Sequence, residues 1–470
     1  MSSFSLTING EPVHTEESFP VLNPATEEVV AQCPQATVEH LDKAVVAARD
    51  AFPKWAALSS EERAAKLNEV ADVIEQNHGE LVELIVKEQG KALSGPGANF
   101  EVGGSAAWAR VTSGLELPVE VIQDNEEGRI EVHRKPLGVV GSITPWNWPL
   151  IIAIWHSMPA LRVGCTVVMK PSPYTPLSTL RFVELANTVL PPGVLNVVTG
   201  DAEVGSRMTT HPDIDKIIFT GSVATGKHVM NSASDTLKRL TLELGGNDAG
   251  IILPGTDIDS KLEKLFWGCF INAGQTCAAL KRLYVHEDQY DEVCEKLSGY
   301  MSNIPVGNGM DESNLIGPLT NQMQYDKVSS MVEDAKAAGA RVVCGGDPDH
   351  DAPGYFYPLT LIADATDDMR IVKEEQFGTA VPVLKYSSVD EAVQRANALD
   401  VGLGGSAWGD DVDATKAVAQ RLECGTTWVN HHGTLNPMAP FGGVKCSGIG
   451  TEFNVHGLAE YTTIQTVNVG

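Results

Sequence analysis

Apolar residues recur at intervals of three and four between charged ones over residues 38–55 and 61–89. That spacing predicts two amphipathic helices near the N-terminus. From residue 137 the pattern alternates. Short apolar runs at 137–144, 167–170, 195–199 and 217–220 predict strands, and helical periods at 151–161, 177–188 and 222–230 lie between or after them. Strand and helix in regular alternation predict βαβ units on a parallel sheet. A second region of the same kind begins near Gly245-Gly246, with strands at 283–285, 341–344 and 381–385. Its helices are predicted at 260–270, 289–300, 321–338 and 389–398, and a domain boundary is expected near Gly246. Two pieces fit neither half. Residues 119–123 and 129–134 flank an acidic, Gly-containing turn and read as a hairpin. Residues 461–469 alternate like a lone strand, whose unpaired edge calls for a partner, often another subunit.

The chain has 470 residues, which suits two or three domains and needs no disulfide or metal staple. Lys and Arg total 34 against 61 Asp and Glu, a net charge of −27, which disfavours nucleic acid and anionic membranes as partners. The longest apolar stretch, 150–169, is interrupted by His156, Pro159 and Arg162 and is too polar to cross a bilayer. Residues 1–7 carry neither a basic region nor an apolar run, so no secretory leader is expected. Eight cysteines are scattered without CxxC or zinc spacing, which predicts reduced thiols in a cytoplasm and no metal site.

Four segments could carry chemistry. Gly221-Ser-Val-Ala-Thr-Gly226-Lys227-His228 follows a strand and nearly spells a phosphate-binding P-loop, but His228 lacks the hydroxyl that holds magnesium. The glycine turn at a helix N-terminus still offers N–H groups to a phosphate, or is simply a tight turn. Cys277 follows a Gly-Gln-Thr loop where a thiol can be reached and activated, although most cysteines are small core residues. Glu243, between leucines and before two glycines, is either an exposed strand end or a base whose pKa an apolar site raises. Asn147, in Thr144-Pro-Trp-Asn-Trp-Pro149, is either a helix cap or an amide donor to an oxyanion.

Taken in order, Pro145-Trp-Asn-Trp-Pro149, Lys170-Pro-Ser172, Phe219-Thr-Gly-Ser222, Glu243-Leu-Gly-Gly246, Gly274-Gln-Thr-Cys277, Glu374-Glu-Gln-Phe-Gly378 and Pro440-Phe-Gly-Gly-Val-Lys-Cys-Ser-Gly448 resemble the aldehyde dehydrogenase superfamily across essentially the whole chain. The resemblance implies an α/β fold: a Rossmann-type cofactor domain (1–112 and 136–245), an α/β catalytic domain (246–446) and a small β oligomerisation element (113–135 and 447–470). It implies a homodimer or homotetramer. It also implies an NAD(P)-dependent, hydrolytic oxidation of an aldehyde, with NAD as cofactor and NADP possible. Cys277 is then the nucleophile, Asn147 with the Cys277 N–H the oxyanion donors, and Glu243 the base that activates water. Thr144, Trp146, Lys170, Gly221, Ser222, Leu244, Glu375 and Phe377 are the implied cofactor residues, and Glu452 matches a second carboxylate sometimes assigned to proton relay.

Trp148 and Trp155, two helical turns apart, are expected on one face, with Leu435 and Phe441 as further walls of an apolar substrate pocket. Such a pocket suits a medium-chain aliphatic or an aromatic aldehyde. The adjacent His431 and His432 are expected in solvent. Pro173 stands where many members have a glutamate that accepts from the adenosine ribose and repels a 2′-phosphate, so weak cofactor selectivity with NAD modestly favoured is expected. Two rivals remain: a CoA-acylating dehydrogenase, which Glu243 disfavours, and a catalytically idle ligand-binding member.

Overall fold

The computed structural model describes residues 4–470, so Met1–Ser3, on which part of the leader expectation rests, lie outside it. Two large sheets carry the architecture. The first has eight strands in the order Glu11–Val13, Leu6–Ile8, Leu195–Val197, Thr166–Lys170, Val139–Ile143, Lys216–Gly221, Arg239–Leu244 and Gly448–Ile449. Its five central strands run parallel. They are nearly continuous apolar runs, as burial on both faces by crossover helices requires. The second sheet has seven strands, from Arg341–Cys344 at one edge through Leu280–His286 and Asp248–Ile252 to Thr426–Val429 at the other. All are parallel but the Arg341–Cys344 edge, and the sheet encloses its own apolar core. The chain passes from one sheet to the other in three residues, Gly245-Gly246-Asn247. Among the described residues no helix is long and apolar enough to cross a membrane.

Several expectations change. The helical period over 61–89 is two helices, Ser60–Gln76 and His78–Gln89, separated at Asn77, whose side-chain amide donates to the Val73 carbonyl at 2.8 Å. The helix Ala98–Ser113 has no counterpart in the periodicity, because glycine and alanine blur it. Its Gly104 lies so close to the helix Pro149–Val163 that a Cβ there would meet Ile151 Cδ1 at 2.9 Å. The tail Thr462–Val469 is not a lone strand. It pairs antiparallel with Gly128–Pro136 of the same chain, which also pairs with Glu120–Asn125, so a three-stranded sheet forms within one molecule. Gly448–Ile449, grouped with that tail from the sequence, instead closes the edge of the first sheet against Leu242 and Glu243.

Candidate functional site

The site lies where the carboxyl ends of the first sheet's strands, the usual place for ligands in open α/β sheets, meet the amino ends of strands in the second, since Cys277 and Phe377 come just before Leu280–His286 and Ala380–Tyr386. Cys277 is reached through an unusual turn. Asn272, Ala273 and Gly274 all have positive φ (51°, 56° and 74°), a conformation that costs about 1–3 kcal/mol for each non-glycine residue unless its surroundings hold it. They do hold it. Asn272 donates to the Asn147 carbonyl at 2.8 Å and accepts from Gln89 Nε2 at 3.0 Å. Gly274 must be glycine, since a Cβ would fall 2.1 Å from the Gly378 carbonyl oxygen. The fully buried Gln275 donates to the Asn272 carbonyl at 3.1 Å and accepts from Thr320 N at 2.9 Å, and Thr276 Oγ1 accepts from the Trp148 indole at 2.9 Å. Side-chain hydrogen bonds thus anchor the loop at Asn272, Gln275 and Thr276.

Asn147 does not cap a helix. The helix Pro149–Val163 has Trp148 at its N-cap, and the Asn147 amide donates to the Gln275 carbonyl at 3.0 Å, leaving its second N–H for another acceptor. Its own carbonyl is held by Lys91 Nζ at 3.0 Å as well as by Asn272. Lys91 is buried against Glu101 at 2.5 Å and lies 3.5 Å over the Trp148 ring. Glu101 also accepts from the backbone N–H groups of Leu150 and Ile151, at 2.9 and 3.2 Å. Neither Lys91 nor Glu101 could be placed from the sequence, because Lys91 comes from the loop after His78–Gln89 and Glu101 from the helix Ala98–Ser113, both remote from the motif.

Glu243 is buried, not an exposed strand end, and neither carboxyl oxygen has a hydrogen-bond partner. Burial first, and the neighbouring Glu452 second, push it well above the ordinary carboxylate range. Burial likewise raises Glu452 to about 8. Behind Glu452, His156 Nε2 lies 3.7 Å from Glu452 Oε1, and the ring bonds Ser142 and Thr220 hydroxyls at 2.9 Å each. Burial lowers that imidazole to about 3, so it is neutral. The Cys277 thiol is pushed up to about 12 by burial, against the pull of Lys281. A thiol so placed needs a base to take its proton.

Trp155, Leu435 and Phe441 cluster with Cys277, joined by Trp108 and Phe453, which the sequence did not reveal as pocket residues. Phe453 stacks on Phe441 at 5.9 Å and meets Trp155 edge-on at 4.9 Å. Trp148 sits at the N-cap of the helix with its indole donating to Thr276, and it packs in one apolar cluster with Trp108 and Trp155. His432 departs from expectation. It is fully buried, bonded to Ser406 Oγ at 2.9 Å and 3.4 Å from Asp248, because its loop packs beneath the Cys277 segment instead of facing solvent.

The implied cofactor residues lie at the carboxyl ends of the first sheet's strands and on the segment before Ala380–Tyr386. Ser222 caps the helix Val223–Ala233, accepting from Thr225 N, with Gly221 just before it. Leu244 packs so tightly against that helix that a Cβ on Gly226 would meet its Cδ2 at 2.5 Å. Thr144 Oγ1 is buried without a partner, and Lys170 Nζ reaches no acceptor closer than the Pro171 carbonyl at 3.5 Å. Burial lowers Lys170 to about 8, opposed by the nearby Asp201 charge. Trp146 meets Phe377 edge-on at 5.4 Å, and Glu375 lies 3.0 Å from Lys281. Unsatisfied buried polar atoms beside a capped helix N-terminus fit a phosphate- and hydroxyl-bearing ligand. Among the described residues no group of three or more His, Cys, Asp or Glu could hold a metal ion.

Comparison with known proteins agrees along the whole length. The model of the Aldehyde dehydrogenase family matches residues 12–467. The chain is 37% identical over 467 residues to an aldehyde dehydrogenase from a Fusarium species, covering 99% of this chain and 98% of the relative. It is 37% identical over 486 residues to the chloroplastic betaine aldehyde dehydrogenase of Beta vulgaris, covering 99% and 96%. The NAD+ complex of an aldehyde dehydrogenase from Bacillus cereus superposes with a TM-score of 0.97 at 37% identity, covering 100% of this chain and 97% of that one. The chain belongs to the aldehyde dehydrogenase family.

Proposed function

We propose that this NAD(P)-dependent aldehyde dehydrogenase oxidises an apolar aliphatic or aromatic aldehyde to the free carboxylic acid, with Cys277 as nucleophile. The observation that carries the reading is the convergence of a half-buried thiol with a free amide N–H of Asn147 and with Glu243, a buried carboxyl lacking any protein partner. Cys277 Sγ attacks the aldehyde carbon as Glu243 takes the thiol proton. The developing oxyanion accepts from Asn147 Nδ2 and the Cys277 N–H; one such donor is worth roughly 10²–10³ in rate. A bound dinucleotide would supply the acceptor for the hydride lost from that carbon. Once the thiol proton has passed from Glu243 to solvent, Glu243 removes a proton from water, whose oxygen attacks the resulting thioester carbonyl. The C–S bond breaks, and Glu243 returns that proton to the departing Cys277 thiolate as the acid leaves.

Thr144, Trp146, Lys170, Gly221, Ser222, Leu244, Glu375 and Phe377 would hold the dinucleotide, with its pyrophosphate at the N-terminus of Val223–Ala233. Pro173 offers neither charge nor acceptor to the adenosine ribose, which supports use of both NAD and NADP with NAD modestly favoured. The aromatic walls Trp108, Trp155, Phe441 and Phe453 support an apolar substrate. The same faces could attract a cationic aldehyde through cation–π contacts, a second reading favoured by the similarity to a betaine aldehyde dehydrogenase. We place the enzyme in the cytoplasm on its eight unpaired cysteines. We read it as a homodimer or homotetramer joined through the three-stranded sheet, where Ile122, Ile464 and Val469 stand exposed. Its division into cofactor, catalytic and oligomerisation units follows the same reading.

NADH absorbance across a panel of aliphatic, aromatic and quaternary-ammonium aldehydes, with the acid product assayed in the absence of CoA, tests this function. Cys277→Ala is expected to abolish turnover while leaving dinucleotide binding nearly intact. Retained turnover in that variant, or a requirement for CoA, overturns the assignment.

A further inference from the structure

Lys281, the second residue of the strand Leu280–His286, belongs to none of the motifs above, yet its side chain is buried and turned back towards the nucleophile loop. Its Nζ donates to the carbonyls of Thr276 (2.8 Å) and Cys277 (2.6 Å) and lies 3.0 Å from Glu375 Oε1. It also sits 5.7 Å from the centre of the Phe377 ring. One ammonium therefore ties the loop of the nucleophile to the segment expected to meet the nicotinamide ribose. The Thr276 carbonyl shares a peptide unit with the Cys277 N–H, and in a trans peptide the two point in opposite directions. Drawing that carbonyl to Lys281 thus aims the Cys277 N–H away from the lysine, into the cleft.

We propose that Lys281 is a positioning residue of the dehydrogenase reaction: it fixes the Thr276–Cys277 peptide so that its N–H faces the oxyanion, and it supplies the positive charge beside the Cys277 thiol. The proposal rests on the reading of Cys277 as nucleophile. The other charges facing Cys277 are Glu243, Glu375 and Asp248, all acidic, with Lys327 facing Glu375, His432 facing Asp248 and Glu452 facing Glu243. Lys281 is the cation among the groups acting directly on the thiol. Its loss leaves the turn a second tie, since the Thr276 carbonyl also accepts from Ala279 N at 3.1 Å.

Lys281→Met, Lys281→Gln and Lys281→Arg separate charge from packing. The rate of iodoacetamide alkylation at pH 8, read by mass spectrometry on the Cys277 peptide, reports the thiolate directly. Loss of a neighbouring opposite charge moves a pKa by about one unit or more, so Met and Gln are expected to slow alkylation about tenfold and Arg to restore it. Turnover is expected to fall at least as far in kcat, with the aldehyde KM little changed. Wild-type alkylation in the Met variant, or full recovery by Gln of both alkylation and kcat, overturns the proposal. Should Met fail to fold, the Gln–Arg comparison decides alone. Turnover surviving in Cys277→Ala would instead sink the underlying assignment, while the alkylation of Cys277 would still report on Lys281.

Discussion

Glu101→Gln asks how much the buried Lys91–Glu101 pair contributes, both to the fold and to the aim of Asn147. The two side chains are 1% and 0% exposed and 2.5 Å apart. Burial already draws Lys91 down to about 8, with Glu101 opposing that fall. Removing the carboxylate charge leaves an ammonium without a counter-charge in the interior, a change that typically costs about 3–5 kcal/mol. Glutamine keeps the shape, and its carbonyl can still accept from Leu150 and Ile151, so the lower end, about 3 kcal/mol, is expected. Lys91 also holds the Asn147 carbonyl at 3.0 Å. A loosened Lys91 displaces the Asn147 amide, and partial loss of a donor worth roughly 10²–10³ is expected to lower kcat about tenfold. Urea unfolding and steady-state NADH formation measure the two effects. Lys91→Met/Glu101→Gln serves as control: with the unpaired charge gone, most of the stability should return, whereas kcat should stay low. A single variant within about 0.5 kcal/mol of wild type, or a double variant no more stable than the single, refutes the argument.

Glu243→Gln keeps the shape of the side chain but cannot take a proton from water, so deacylation should suffer more than acylation. Stopped-flow is expected to show an NADH burst near one equivalent followed by slow turnover; equal slowing of both phases would mean that another group activates the water. Glu452→Gln removes the like charge that helps hold Glu243 high, so the Glu243 pKa falls and the acid limb of the kcat–pH profile should move to lower pH. An unmoved limb would show that the two carboxyls do not titrate together. Pro173→Glu places a carboxylate beside the expected adenosine ribose and should cut kcat/KM for NADP by about 1–4 kcal/mol while sparing NAD. Wild-type rejection of NADP beyond about a thousandfold, roughly 4 kcal/mol, would assign the discrimination to another residue.

Much of the architecture was legible in local pattern. The crossover strands show as short apolar runs because both their faces are buried, and helices such as Val389–Ala396 show as three- and four-residue periods because one face is wet. Boundaries blurred where polar side chains end a helix inside a continuing pattern, as at Asn77, and where glycine erases the period, as in Ala98–Ser113. Cys277, Asn147 and Glu243 stood out because each sits in an unusual local context of turn residues or apolar neighbours. That context alone left open whether Asn147 caps a helix and whether Glu243 is exposed.

Those choices belong to the tertiary structure, because burial and charge environment are properties of what packs against a residue from elsewhere in the chain. Sequence by itself determined the alternation of elements, the acidic charge balance and which side chains were candidates for the proposed chemistry. Only folding brought Lys91 and Glu101 beneath Asn147, turned Lys281 onto the Cys277 loop, and set Glu452 and the neutral His156 behind Glu243. Folding likewise placed Trp108 and Phe453 against Trp155, and drew His432 inward to Asp248. The tail Thr462–Val469 looked unpartnered as a string of residues and is paired in space, since a strand's hydrogen-bonding edge is satisfied by whatever segment topology delivers to it. The pKa of a carboxyl, the aim of an N–H and the partner of an edge are all set by contacts between segments remote in sequence, which no local pattern encodes.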